Sequence, residues 1–440
     1  VGFADFDVDV EPSKPVSPLQ AGGTLRSTEA LWIERLGGKP LAKARQSLDL
    51  YLRYKKGWFR AEISGHGEFD LPYLLFPGDF DTQTRQTYAW QLVPREAYMA
   101  FSAGKFELTA GRQRVAWGEG MLLSVLDVVM ARDLREPGLT DLKDLRLPVT
   151  ALRLGWFPGA HRFEAMAVLE SDWGYRSTPQ GPYGPLDGLL ADSDPLVTGA
   201  LEGREFAWEH EGQRFDPVRP QGFLRWRYSG SGYDLGLYAA SVLDKNGTIG
   251  FPSLSALAEP GPIGLPIGHF RYGMLGHSGV ATVGPILVRW ELGLDLNRPI
   301  STGDLTVLIP QIGVGRTDVL NGMIGAQYGG IPHLSVDVEL AGGWEPEPLA
   351  EVLFPVAPMT GAFRLAYTAA KERLVLSGAG VGFGSDLRYG GFTRVDASYE
   401  IADGVHGMVG GIVFRPGSEL GPLLGLDKHD QVFVQGRWDF

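Results

Sequence analysis

Residues 431–440 read QVFVQGRWDF, from Gln431 to Phe440. In an extended chain Val432, Val434, Gly436, Trp438 and Phe440 share one face, and Phe433, Gln435, Arg437 and Asp439 share the other. A repeat of two marks a strand with one oily side and one wet side. A half-buried strand of a soluble protein fits that pattern. So does a strand in the wall of a membrane barrel, with Trp438 and Phe440 at the rim of the oily belt. The rest of the chain decides between the two.

The alternation recurs along the whole sequence. Leu48, Leu50, Leu52 and Tyr54 alternate with Ser47, Asp49, Tyr51 and Arg53. Ile286, Val288, Trp290, Leu292 and Leu294 alternate with Arg289, Glu291 and Asp295, and Val395, Ala397, Tyr399 and Ile401 with Arg394, Asp396, Ser398 and Glu400. Each segment has roughly 9–11 residues, the length a tilted strand needs to cross a bilayer. Tight turns fall at Lys56-Gly57, Gly104, Pro158-Gly159-Ala160, Ser229-Gly230-Ser231, Gly284-Pro285, Gly330-Ile331-Pro332, Ala370-Lys371 and Ala402-Asp403-Gly404. Between them lie long connections rich in Pro, Gly and acids, near 68–94, 116–148, 171–219, 243–268, 297–318, 343–360 and 416–428, with shorter ones near 34–42 and 384–389.

Short and long connections alternate, which is the asymmetry of an outer-membrane barrel with tight periplasmic turns and long outer loops. A soluble propeller would repeat blades of equal length, and none recur. With a first strand near 22–33, the reading predicts an all-β fold: a transmembrane, antiparallel, up-and-down β-barrel of about 18 strands, with 16 as the neighbouring even count. The expected organisation is a periplasmic segment over 1–20 followed by one barrel over 21–440, in the outer membrane of a Gram-negative bacterium.

Composition narrows the function classes. No run of 18 apolar residues occurs, so a helical membrane protein is excluded. The first residues, VGFADFDVDVEPSKPVSP, lack the basic start and apolar core of a signal peptide. The chain has no cysteine, and its net charge of −12 argues against nucleic acid as a partner. Expected partners are outer-membrane lipid and lipopolysaccharide, the barrel-assembly machinery, for which Trp438 and Phe440 would form the recognised end, and periplasmic or exporter proteins. No cofactor and no metal is expected. Asp79 and Asp81 are two acids in a loop, too few to define a calcium site. His269, His277 and Ser278 lie close in sequence, but Val280 stands where a nucleophile elbow needs glycine, so the chain reads as a non-enzyme.

Candidate functional residues are the inward charges. Arg153, Arg225, Arg227, Arg289, Arg364 and Arg394 interleave with Glu291 and Asp396. They form either a lattice of ion pairs bracing the wall or a ladder for polar and anionic solutes. The most distinctive stretch is Gly111-Arg-Gln-Arg-Val-Ala-Trp-Gly-Glu-Gly120 followed by MLLSVLDVVMARDLREP. Leu122, Val125, Leu126, Val129 and Met130 have helical spacing, so a short amphipathic helix is expected near 119–135 in an outer loop. Arg112 and Arg114 fall on the oily parity of their strand, which calls for a bulge near Gly111 or emergence above the membrane. The segment then either caps the barrel or folds inward as a constriction lined by Arg112, Arg114 and Glu119.

This stretch resembles the signature region of a family of porin-like outer-membrane barrels of unknown function. Gly111, Arg112, Gln113, Trp117, Gly118, Glu119 and Asp133 match, with Met130-Ala131 where the family carries Asn-Pro. The resemblance implies passage of solutes across the outer membrane and a link with RND-type exporters of hydrophobic cargo. A fainter likeness is to alginate-export barrels, through the Arg-rich interior. The reading is therefore a channel or the outer-membrane component of a transport or export pathway. The alternative is a plugged barrel that binds partner proteins or surface polymer through its loops.

Overall fold

A computed structural model describes residues 17–34, 40–186, 203–212, 215–250, 261–303, 313–349, 352–353 and 356–440. Most of the expected periplasmic segment over 1–20 lies outside the described residues. Eighteen strands form one closed antiparallel sheet. In chain order they are β1 (Leu19–Trp32), β2 (Leu41–Lys56), β3 (Phe59–Asp70), β4 (Trp90–Ala103), β5 (Phe106–Gln113) and β6 (Val149–Trp156). Then come β7 (His161–Val168), β8 (Gln221–Ser229), β9 (Tyr233–Leu243), β10 (Arg271–Val283), β11 (Ile286–Thr302) and β12 (Gly313–Ile331). The last are β13 (Leu334–Trp344), β14 (Thr360–Ala369), β15 (Leu374–Phe383), β16 (Gly391–Ala402), β17 (Val405–Arg415) and β18 (Gln431–Asp439).

Each strand pairs with its neighbour in sequence, and β18 returns to β1, with Thr24 opposite Asp439 and Trp32 opposite Gln431. Closure leaves no unpaired edge, the condition a sheet must meet in hydrocarbon. The seam is extended by Phe440, whose N–H donates to the Gly23 carbonyl at 3.0 Å while Gly23 N–H donates to Phe440 O at 2.9 Å. Gly23 is required there, because a Cβ would stand 2.5 Å from the Asp49 carbonyl of β2 and 2.7 Å from the Phe440 ring.

The two faces separate as the alternation demands. Leu48, Leu50, Leu52, Leu92, Ile324, Val338, Val395 and Val434 stand exposed on the outside. At the tight-turn end exposed rings form a belt, with Trp58 stacked on Phe101 at 5.8 Å, Trp156 on Phe163 at 5.1 Å and Trp438 against Phe440 at 5.0 Å. Such amphipathic girdles sit at a membrane–water interface. The inner face carries Glu291 and Glu339, both fully buried, and Arg289 and Asp337, nearly so.

Two expectations about local structure fail. The connection after β3, read as loop, contains two helices, α1 (Leu71–Leu75) and α2 (Thr82–Tyr88). Asp81 caps α2 by accepting from Thr84 N–H at 2.8 Å, so its carboxylate is committed to the backbone. The helix expected near 119–135 does not form; that stretch is irregular apart from a two-residue bridge strand at Asp133–Leu134. Its physical reason lies inside the barrel.

Candidate channel constriction

Residues 114–148 leave the rim after β5 and cross the lumen before returning to β6. Trp117, Leu126, Val129 and Met130 are buried against Met166, Val168, Phe223, Tyr238, Val242 and Met274 on the inner wall. The Trp117 ring meets Phe223 edge-on at 5.2 Å, and its Nε1 donates to Glu164 at 3.3 Å. Burial of each such side chain contributes about 1.5–3 kcal/mol. The apolar residues with helical spacing therefore do find a core, but on the barrel wall and without a helix.

Two wall carboxylates take the hydrogen bonds a helix would have used. Glu291 on β11 accepts from the N–H groups of Glu119, Gly120 (2.7 Å), Val125 (2.8 Å) and Leu126 (3.0 Å), and from the Ser124 hydroxyl. Glu339 on β13 accepts from Met121 (2.6 Å), Leu122 (2.8 Å) and Leu123 (2.8 Å). Every backbone N–H from Glu119 to Leu126 except that of Ser124 is spent on these two groups. Bonds to an ionised carboxylate are about twice as strong as the neutral bonds of an α-helix, so the irregular path wins. Gly118 makes the wrap possible: its φ is +84°, and a Cβ would lie 2.6 Å from Glu291 Oε1. The Trp-Gly-Glu-Gly sequence is thus a collar around one carboxylate.

Farther on, the segment is held by charge. Glu136 receives Lys43 and Arg45 (2.6 Å) from β2, while Arg135 reaches Glu68 on β3 at 3.0 Å and Asp133 at 2.7 Å. Arg394 on β16 donates to the Leu139 carbonyl at 3.1 Å, and Arg26 on β1 pairs with Asp144 at 3.4 Å. One stretch of chain is thereby fixed to walls on several sides of the barrel, which narrows the lumen.

The predicted site residues divide. Glu119 lies in the lumen, with Arg227 at 3.2 Å and the Ser278 hydroxyl at 3.3 Å. Arg225 pairs with Glu164 at 3.2 Å, and Arg153 lies between Glu107 (3.7 Å) and Glu164 (3.9 Å). Arg289 pairs with Asp337 and Glu339, Arg394 with Asp396 at 3.1 Å, and Arg364 lies 3.9 Å from the Met121 sulfur. Arg112 and Arg114 do not line the constriction. Pairing of β5 runs unbroken through Gly111 and Arg112 to both neighbours, so no bulge turns the side chain inward. Arg112 stays on the outer parity above the apolar belt and ties Glu170 and Asp172 (3.4 Å) of the loop after β7 to the rim. Arg114 is exposed, its N–H bonded to Glu96 at 3.1 Å.

Sequence reasoning missed Glu339, Lys43, Arg45, Arg135 and Glu136 as anchors. Glu291 gave a signal only as an inward charge, with nothing to say that backbone would meet it. The enzymatic pairing dissolves in space. Ser278 faces the lumen and shares a bond with Tyr238 at 2.9 Å, whereas His277 faces outward with Trp290 Nε1 at 3.2 Å. Among the described residues no group of acids and histidines is arranged to hold a metal ion.

Outer loops fold into a cap. Phe206–His210 pairs in parallel with Ile263–Gly268, and His269 stacks on Trp173 at 4.4 Å with its Nε2 2.9 Å from His210 Nδ1. Burial pushes the His269 pKa down to about 4 and that of nearby Lys245 down to about 8.

A family described as a protein of unknown function, DUF1302, matches residues 43–372. The chain belongs to that family. A search of curated proteins found no match. Among solved structures, Pseudomonas aeruginosa OccK2 (OpdF) in complex with glucuronate aligns at TM-score 0.50 and 10% identity, covering 96% of this chain and 98% of that one. Pseudomonas aeruginosa OccD3 (OpdP) aligns at TM-score 0.50 and 11% identity, covering 97% of this chain and 92% of that one. This DUF1302 chain thus shares the closed barrel fold of those proteins over nearly its full length.

Proposed function

We propose that this DUF1302 barrel is an outer-membrane channel of a Gram-negative bacterium, passing small solutes along a charged lumen narrowed by residues 114–148. The observation that supports it most is the pairing of an apolar outer wall with a charged inner wall that holds a loop across its middle through Glu291 and Glu339. A girdled, closed barrel is stable only with lipid outside, and an inner face of this charge favours water inside. The fold likeness to OccK2 and OccD3 agrees with that reading. The finer assignment is the outer-membrane step of a transport or export pathway, working with periplasmic or RND-type exporter partners. It rests on the Gly111–Gly120 motif, and co-purification of such partners with the barrel tests it.

A second reading has its own observation. Tyr183, Leu423 and Leu426 from other outer loops also pack on inner-wall residues Ala30, Ile412, Phe414 and Phe433. If such packing closes the lumen, the barrel is a plugged scaffold that binds partners through its loops. Planar-bilayer recordings separate the two: discrete conductance steps support the channel, and a silent bilayer with folded protein present supports the scaffold.

A further inference from the structure

Beside the Glu136 anchor, the inner wall and the crossing segment enclose a polar cavity of about 90 Å³. Its lining includes the basic residues Arg26, Lys43, Arg45, Arg95, Arg135 and Arg394. All but Arg95 have carboxylate partners: Asp144 for Arg26, Glu136 for Lys43 and Arg45, Asp133 for Arg135, and Asp396 for Arg394. Arg95 makes no ion pair or hydrogen bond among the described residues, and its Nε is buried without an acceptor. Yet the residue is only 9% exposed. The Arg26 Nε on the same cavity is likewise without an acceptor. A buried guanidinium nitrogen with no acceptor is costly, and an anion entering the cavity would supply one.

The way Arg95 reaches the lumen supports that reading. Pairing between β3 and β4 slips between Ile63 and Gly65, so Arg95 and Glu96 together oppose Ser64. A bulge of this kind re-aims a side chain. Neither nearby carboxylate forms an ion pair with Arg95: Glu96 accepts from Arg114 N–H, and Asp49, which lies within electrostatic range of Arg95, is bonded to His66 Nδ1 at 2.7 Å. The planar fork of a guanidinium matches the two coplanar oxygens of a carboxylate.

We propose that the cavity at Arg95 is a binding site for the carboxylate group of small organic acids on the lumen wall. As a stop on a solute's route the site rests on the channel reading. As a binding site it does not, and the test is made without conduction. Folded barrel in detergent, verified by its heat-dependent shift in gel mobility, is titrated calorimetrically with sodium acetate at constant ionic strength, with sodium phosphate and sodium chloride as parallel arms. The wild type should show saturable acetate binding, Arg95→Gln at least a tenfold loss, and Arg95→Lys, which keeps the charge but not the fork, an intermediate value. Equal acetate binding by wild type and Arg95→Gln would overturn the proposal, as would phosphate saturating where acetate does not. Should Arg95→Gln fail to fold, the wild type alone decides: acetate must raise its melting temperature where equal chloride leaves it unchanged, and equal effects would overturn the site.

Discussion

Replacing Glu291 by alanine should undock the crossing segment. The substitution strips the acceptor from the N–H groups of Glu119, Gly120, Val125 and Leu126 and from the Ser124 hydroxyl. At the low end of about 1 kcal/mol for each orphaned N–H, appropriate because lumen water recovers part of the loss, the four together cost about 4 kcal/mol. That shifts the docked-to-undocked balance by about a thousandfold. The chain has no cysteine, so a single reporter gives a clean background. Val129 is fully buried in the same apolar cluster as Leu126, and Val129→Cys keeps a small apolar side chain there, one heavy atom smaller. Maleimide labelling of Val129→Cys should be slow in the parent and at least a hundredfold faster with Glu291→Ala. Hydrogen exchange should also accelerate at Met121, Leu122 and Leu123, whose N–H groups bond Glu339 and not Glu291. Unchanged labelling, or loss of protection confined to the four amides that lose their acceptor, would refute the idea that Glu291 holds the segment as a unit.

Further outcomes follow from single sites. Gly118→Val places a side chain at φ +84° against the Glu291 carboxylate and should release the collar as Glu291→Ala does, read by the same labelling. Gly23→Val drives a Cβ against the Asp49 carbonyl of β2 and the Phe440 ring beside the β1–β18 seam, and should lower the temperature at which the folded gel band is lost; Gly222→Val, where a Cβ meets nothing within 4 Å and φ is not positive, should leave it unchanged. The neutral form of His269 is favoured in the fold, its pKa about 4 against 6.5. The unfolded cap therefore binds more protons between those values, and stability present above pH 6.5 is lost as pH falls toward 4. Amide protection over 203–212 and 261–270, measured relative to the intrinsic exchange rate at each pH, should fall as pH is lowered across that window, and His269→Gln should flatten the change.

The barrel was legible in the sequence because its code is local. Period-two alternation, from Leu48–Tyr54 to Val432–Phe440, assigns faces without knowledge of the neighbours, and the glycine-rich turns at Gly104, Gly159 and Gly284 mark where each hairpin reverses. The path of residues 119–126 was not legible. Its backbone partners lie 172 and 218 residues away in sequence, on strands read only as charged walls. Helical spacing of Leu122, Val125, Leu126 and Val129 described a buried stripe correctly and its backbone wrongly, since wall carboxylates supplied what an i−4 carbonyl would have. Arg112 illustrates the converse. Its parity was read correctly as outward, and its assignment to the constriction went against that parity. Arg95 escaped notice because a bulge, set by the pairing of Ile63 and Gly65 across β3 and β4, decides which way it points.

The central claim is an open lumen narrowed by residues 114–148, and single-channel recording tests it most directly. Purified wild-type barrel in planar bilayers should give discrete conductance steps above the lipid background. A Glu291→Ala/Glu339→Ala protein, whose folded state is confirmed by gel mobility, should give larger steps under the same salt. Silence from both proteins, or identical steps from both, would contradict the account.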